Sequence, residues 1–400
     1  METYLLDWAN LLVRWLHLIS GVAWIGASFY FVMLDTSLSK PQRAGDRERG
    51  VFGELWAVHG GGVYHSQKYL AGPIGEPLPE KLHWSKWEAY TTWLSGMGML
   101  VIIYWFGAAT YLIDPGVMAW SEAQAIAISL FSLIISWLVY DGLCRVLDRR
   151  ENLLATVLFV YVMFCAWGLF QLLSARAAYI HVGAIMGTLM AANVFFHIIP
   201  GQKKMLQEIR AGVQPNPRYG QIGKQRSVHN TYFTLPVLLI MISNHYPMTY
   251  SHPQGWVVLG LMMLAGVLIR QFFVLRHVGK ALWWLPVTAI ALILLTLFWL
   301  RPPGIKANQA NAPVPYAEVK SILQQRCVSC HAQVPTQAGF MQPPKGIVLE
   351  SDAQIAQQAA MIGQTVSSRY MPIGNLTAMT EAERDRIAIW VAQGASVGDP

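Results

Sequence analysis

Arg326-Cys327-Val328-Ser329-Cys330-His331 divides this 400-residue chain into two kinds of polypeptide. Two thiols three positions apart, followed at once by an imidazole, form the attachment signature of c-type haem. Cys327 and Cys330 would form thioethers to the porphyrin, and His331 would reach one axial face of the iron. A zinc site or a redox dithiol would need two more ligands or a thioredoxin-like βαβ frame. No cysteine follows Cys330 and no histidine follows His331, so the motif reads as one haem c. Haem c is attached outside the bacterial cytoplasm. The residues before the motif must then explain how an electron arrives there.

Those residues are membrane-like. The chain is 54% hydrophobic and 13% charged, with sixteen Trp, a composition of polytopic proteins whose indoles gather at the bilayer interfaces. Eight segments, near 8–34, 88–112, 123–147, 153–173, 178–199, 228–248, 255–275 and 281–300, reach the roughly 20 apolar residues that span a bilayer. The first is read as a retained span, because Met1 to Asp7 carries no Lys or Arg and the apolar run is too long for a cleavable signal. The net charge of +7 is not a nucleic-acid signal, since the last hundred residues are nearly neutral and the excess lies between the spans. Loops 35–86, 148–152, 200–227 and 276–280 hold seventeen Lys and Arg, while the alternate set holds only Arg176. The basic set is therefore assigned to the cytoplasm, which puts both termini, and the haem motif, outside. The expected fold is all-α: an eight-helix transmembrane bundle over 1–300, a Pro/Asn/Ala tether over 301–315, and a small all-α domain over 316–400. The expected location is the bacterial inner membrane, with the haem domain in the periplasm.

In the small domain, helices are expected over 316–325, from Ser351 to about Gln364, and from the capping box Thr380-Glu381-Ala382-Glu383 through Gln393, with Gly394 as C-cap. Ile387 and Trp390 would pack on the first helix. The second axial ligand is sought in Arg369-Tyr370-Met371-Pro372-Ile373-Gly374-Asn375, where a thioether on a Pro/Gly-shaped loop can reach the iron. Met341, Met361 and Met379 compete with Met371. The domain resembles single-haem cytochrome c, in which a Met-Pro turn precedes the last helix, and this favours Met371.

Loop 35–86 is too long for a plain connector. Its Gly60-Gly61-Gly62, His59, His65 and Tyr64 suit a folded interfacial loop or the lid of a site. Gly183 and Gly187 form a GxxxG pair that lets two helices approach closely, and Pro236 is expected to kink its helix. Cys144 and Cys165 sit in apolar runs and read as core.

Polar groups inside spans are costly and are usually functional. Toward the outer side lie Arg14, His17, Gln171, His181, Asn244 and His245. Toward the cytoplasm lie Asp141, Arg145, Asn193, His197, His229, Asn230, Arg270 and Gln271. His181 with His245, and His197 with His229, could form two bis-histidine haem b sites, or could be interfacial histidines bonded to headgroups and neighbouring helices. Against stacked haems stands the sixteen-residue spacing of His181 and His197, about 24 Å of rise but roughly 160° of rotation in a regular helix.

Arg14-Trp15-Leu16-His17 with Gly21-Val22-Ala23-Trp24-Ile25-Gly26, then Gln225-Arg226-Ser227-Val228-His229-Asn230 and Ser243-Asn244-His245-Tyr246-Pro247, resemble the bacterial membrane-bound urate oxidases (urate hydroxylases). In that family a multi-helix membrane domain is fused to a C-terminal cytochrome c. The resemblance covers essentially the whole chain. It implies oxidation of urate to 5-hydroxyisourate with water as the oxygen source, electrons leaving through haem c instead of reducing O2 to peroxide. The first helix also resembles, more weakly, haem-binding membrane protoporphyrinogen oxidases, whose first-helix histidine corresponds to His17. If urate is the substrate, planar charge-assisted recognition is expected from Arg145, Arg270 or Asn230 near Asp141, with His229 or His197 as proton acceptor. The expected electron acceptor is a soluble or membrane cytochrome c or a terminal oxidase. The alternative is a non-catalytic membrane cytochrome relaying electrons from a separate dehydrogenase or quinol. A proton-pumping oxygen reductase is excluded, because no set of six core histidines has the spacing for two haems and copper.

Overall fold

Inside a bilayer a long apolar run has only its own backbone to bond, so it becomes helix. The computed structural model describes residues 2–301, 313–337 and 340–397; most of the expected tether, 301–315, lies outside them. In chain order the N-terminal part comprises α1 (Glu2–Thr36), short α2 (Ala44–Glu48), β1 (Val51–His59), β2 (Gly62–Tyr69), α3 (Trp87–Met99), α4 (Ala108–Tyr111), α5 (Glu122–Val146), α6 (Glu151–Leu172), α7 (Ala175–Ala192), α8 (Ile199–Arg210), α9 (Pro217–Ser243), α10 (Gly255–His277) and α11 (Trp284–Trp299).

Five of these helices are long and apolar enough to cross a membrane: α1 from Tyr4, α5, α6, the rod Ala175–Arg210 formed by α7 and α8, and α10. The three other expected spans are also helical, but less simply. Segment 88–112 is α3 followed by a π-helical stretch, Leu100–Trp105, and then α4. Segment 228–248 is the apolar half of α9, and 281–300 holds the sixteen-residue α11. Half of the apolar window of the α7–α8 rod is buried, against 11% for α1, which makes the rod the centre of the bundle and α1 an outer helix.

The close α7–α9 seam is local. A Cβ on Gly183 would stand 2.6 Å from Ile240 Cγ2, whereas Gly187 has nothing within 4 Å. Only one glycine of the GxxxG pair is therefore needed for this contact. The expected kink at Pro236 does not interrupt α9, which runs through it.

The all-α expectation needs one amendment. Within 35–86 the chain forms an antiparallel hairpin, β1–β2, closed at His59↔Gly62. Gly60 and Gly61 both take positive φ, as a two-residue hairpin turn of type I′ requires. Trp56 stacks on His65 across the strands at 4.0 Å, and His65 Nε2 lies 2.8 Å from buried Glu54.

A second departure concerns rotation. Asn193–Ile198 is π-helical and links α7 to α8. One turn of i→i+5 bonding takes up an extra residue, or roughly 100°. The 160° offset counted for a uniform helix between His181 and His197 falls to roughly 60°, and both imidazoles bond to α5.

The C-terminal unit has its own core. It is built from α12 (Tyr316–Arg326), the single turn α13 (Val328–His331), α14 (Asp352–Ser367) and α15 (Glu381–Ala392). Capping boxes open α14 at Ser351 and α15 at Thr380. Ile387 and Trp390 pack with Val319 and Leu323 of α12, and Trp390 stacks on Tyr316 at 6.0 Å. Glu318 accepts both nitrogens of the Arg386 fork, at 2.7 and 2.5 Å. This unit sits on the bundle end opposite the hairpin. Arg369 Nη1 donates to Ser251 O at 3.1 Å. Gly374, at φ +57°, lies so close to the bundle that a Cβ would be 2.9 Å from Thr110 O.

Candidate functional site

The end of α12 delivers the Cys-Val-Ser-Cys-His motif to an apolar crevice. Cys327, Cys330, His331, Met361 and Met371 all line it, among side chains such as Ile347 and Leu376. His331 Nδ1 lies 2.9 Å from Ile347 O. A proton on Nδ1 donated to that carbonyl fixes the ring and leaves Nε2 as the free ligand nitrogen, the usual arrangement behind a metal-binding histidine. Burial, and then the neighbouring Cys330, push the Cys327 thiol up to about 12. Of the competing methionines, Met379 is buried in the core of the unit and Met341 is exposed. Two thiols, one oriented imidazole and a thioether in an apolar crevice are the donor set that haem c requires.

The Met371 loop is held by a residue that sequence reading passed over. Arg384 of α15 is buried. Its Nη1 donates to Met371 O at 2.6 Å and to Val366 O at 3.0 Å, and its Nη2 donates to Asn375 Oδ1 at 3.2 Å. In sequence it looked like one more charge on a surface helix.

At the hairpin end, α5, the π-helical stretch Asn193–Ile198 and α9 gather a charged network around Asp141. Arg145 Nε, Arg226 Nη2 and His197 Nε2 reach its two oxygens at 2.8, 2.7 and 2.7 Å. Beside it, the Tyr140 hydroxyl accepts from Asn193 Nδ2 and lies 2.8 Å from His229 Nδ1; Asn193 also donates to Asn230 Oδ1 at 2.9 Å. Asp141, Arg145, His197, His229 and Asn230 are thus brought together. Arg226 and Tyr140 join them without having been singled out. The signal for Arg226 was present: it precedes Asn230 by four residues and so shares its face. Arg226 Nε and Nη1 and Asn193 Oδ1 are buried without partners. Arg270 stands apart from this network, its guanidinium 4.1 Å above the Phe29 ring, near Tyr232, which bonds Gln271.

The remaining histidines are separate. Both ring nitrogens of fully buried His181 are engaged, Nδ1 at 2.7 Å from Ala177 O and Nε2 at 2.6 Å from Ser129 Oγ. His17 sits in the α1–α3 seam with Nδ1 2.9 Å from Thr92 O, and a Cβ on Gly96 would be 3.0 Å from its ring. His245 is exposed at the end that carries the C-terminal unit.

That end holds a second polar cluster. Arg176 Nε donates to Asn244 Oδ1 at 3.1 Å, and its guanidinium lies 5.2 Å from the Tyr111 ring. Tyr104, Tyr179 and Tyr250 are buried nearby, and none of their hydroxyls has a well-formed hydrogen bond. Between this cluster and the C-terminal unit lies a cavity of about 260 Å³, whose lining includes Asn244, His245, Lys345, Thr365 and Tyr370. Thr365 also lines the crevice that contains the Cys-Val-Ser-Cys-His motif.

The urate oxidase N-terminal family matches residues 3–301. The chain belongs to that family. Membership places it among oxidoreductases with a urate-related role, and the helices that carry the match are those apolar enough to cross a membrane. The match ends where the bundle ends, so the crevice lies outside it. No curated protein and no solved structure matched the chain.

Proposed function

We propose that the chain oxidises urate to 5-hydroxyisourate and passes the electrons through haem c to a respiratory acceptor, a cytochrome c or a terminal oxidase. Urate and water give 5-hydroxyisourate, two protons and two electrons, so the reaction needs an electron acceptor but no peroxide. One observation carries the reading. A unit with the haem c donor set is seated on a bundle that belongs to a urate oxidase family, with Thr365 facing both the crevice and the interdomain cavity.

Haem c, held by Cys327, Cys330, His331 and Met371, would supply one-electron acceptance at moderately high potential. The protein's own part is to orient. Ile347 fixes the His331 ring, and Arg384 fixes the Met371 loop. Recognition of a planar purine anion calls for a guanidinium with free N–H groups, polar neighbours and a proton acceptor. Two places in the bundle offer these. The hairpin end has Arg226 with Arg145, Asp141, His229 and Asn230, and the opposite end has Arg176 with the tyrosines and His245. The expected setting is the bacterial inner membrane, with the haem c unit on the periplasmic side.

The test is anaerobic. Urate added to the oxidised, detergent-solubilised protein should raise the reduced haem c bands while urate absorbance falls. Reduction by dithionite but not by urate would instead favour a membrane cytochrome that relays electrons from a separate dehydrogenase or quinol.

A further inference from the structure

The two polar ends of the bundle are not equivalent for a reaction that must deliver electrons to the crevice. We propose that urate is bound and oxidised in the cavity between the bundle and the C-terminal unit, with Arg176 as the anion-binding group and His245 as the proton acceptor. The proposal rests on the urate-oxidation reading and assigns that reaction a place.

Distance is the first argument. Electron tunnelling falls off exponentially with separation, and Thr365 lines both the cavity and the crevice that holds Cys327, Cys330 and His331. The hairpin-end network lies the length of the central rod away: His181 to His197 already spans about 24 Å at 1.5 Å per residue. Both ring nitrogens of His181, the buried histidine between the two ends, are occupied by protein atoms.

Charge is the second. Among the described residues, Lys345 lines the cavity and no carboxylate does. Arg176 lies behind Asn244 and close to Tyr104, Tyr111 and Tyr250. Among the described residues Arg176 makes no ion pair, in contrast to Arg226 and Arg145, which are both committed to Asp141. A half-buried guanidinium without a carboxylate partner, one residue behind a cavity wall that carries Lys345, favours a small anion.

Shape and hydrogen bonding are the third. The cavity, about 260 Å³, has room for about nine waters at roughly 30 Å³ each, enough for a bicyclic purine with the reacting water. Of its lining, Asn244 bonds Arg176 behind it and Tyr370 lies near Tyr250. In that layer behind the lining the hydroxyls of Tyr104, Tyr179 and Tyr250, each more than nine-tenths buried, have no well-formed hydrogen bond, although Tyr104 faces Arg176 and Asn244 and Tyr179 faces Thr249. Such hydroxyls would serve the carbonyl and N–H edges of the purine, while the guanidinium takes the negative charge. In the step itself the water oxygen bonds to C5 of the purine and two protons depart, one of them to the His245 imidazole. The other proton goes to solvent, and haem c, held by Cys327, Cys330, His331 and Met371, would accept the two electrons singly, with reoxidation by the respiratory acceptor between them.

The experiment uses the full-length haem-loaded protein, oxidised and anaerobic, with urate as the probe. Urate affinity is measured by equilibrium dialysis and haem reduction by stopped flow. Arg176→Gln should weaken urate binding by about tenfold or more. Tyr250→Phe, which keeps its shape, and Lys345→Gln, which is exposed, should weaken it less and keep the test informative if Arg176→Gln fails to fold. His245→Gln should leave affinity nearly unchanged and slow haem reduction by urate; dithionite reduction should be unchanged in all four. Wild-type affinity in the Arg176, Tyr250 and Lys345 variants, with loss of binding in Arg226→Gln, would overturn the placement while the urate reading stands. A wild-type protein that neither binds urate nor is reduced by it would overturn both.

Discussion

Arg384→Leu is the substitution whose outcome follows most directly from the geometry. It removes three hydrogen bonds from a charged donor, those to Met371 O, Val366 O and Asn375 Oδ1. Bonds to charged groups contribute about 1.5–3 kcal/mol each, but they are not additive, and removing a buried guanidinium also relieves its own desolvation. One Arg384 nitrogen, Nε, makes no hydrogen bond and has only the exposed Glu381 carboxylate 3.7 Å away, which lowers the wild-type advantage further. A net loss of about 3 kcal/mol is a fair reckoning, and at about 1.4 kcal/mol per decade this is roughly a hundredfold rise in the open form of the loop. With Met371 on the iron, that rise appears as loss of the Met-to-iron charge-transfer band of the oxidised protein at lower urea or lower temperature. Exogenous imidazole should also displace the thioether more readily. Arg386→Leu is the control on the same helix, since its pair with Glu318 is half-exposed and worth at most about 1 kcal/mol. Equal band stability in the two variants would refute the clamp.

Other outcomes follow from single contacts. Gly183→Val should destabilise the solubilised bundle by about 1–3 kcal/mol through overpacking against Ile240, while Gly187→Val should leave its thermal unfolding nearly unchanged; a reversed order would refute the α7–α9 seam. Thr380→Ala should cost the C-terminal unit about 1 kcal/mol in urea unfolding through loss of the α15 cap. The Gln42 N–H and then His65 hold the Glu54 carboxyl below the usual carboxylate range. With the folded-state value depressed, ionised Glu54 supports the hairpin above about pH 4.3, and that support is lost as the pH falls through the lowered value. The protection of the β1 and β2 amides against hydrogen exchange, taken relative to the intrinsic rate at each pH, should therefore fall on acidification, and Glu54→Gln should flatten the dependence.

Much of the helical architecture could be read from sequence, because apolar runs leave the backbone little choice. The hairpin could not, although its signal was there: Gly60-Gly61 between β-rich stretches is a turn of the hairpin kind, overshadowed by the polar, glycine-rich context of a long loop. The first half of α9 hid in the same way. Its residues from Pro217 are too polar to count as span, so Arg226 was tallied with the loop cations although it is buried against Tyr140 and Asp141. Arg270 was grouped with the wrong neighbours because depth can be read from sequence, while the direction a helix faces depends on packing. The buried tyrosines at the far end looked like ordinary interfacial aromatics. Only the packing of the π-helical stretch after α3, of α7 and of the loop after α9 brings these tyrosines near one another. By contrast, the Cys-Val-Ser-Cys-His motif and the Thr380 capping box are short-range patterns, and such patterns survive without tertiary context.

The π-helical stretch at Asn193–Ile198 works like a rotary coupling in a drive shaft. Because the turn absorbs a residue, the part of the rod bearing His181 and the part bearing His197 can each be indexed against α5 without turning the other.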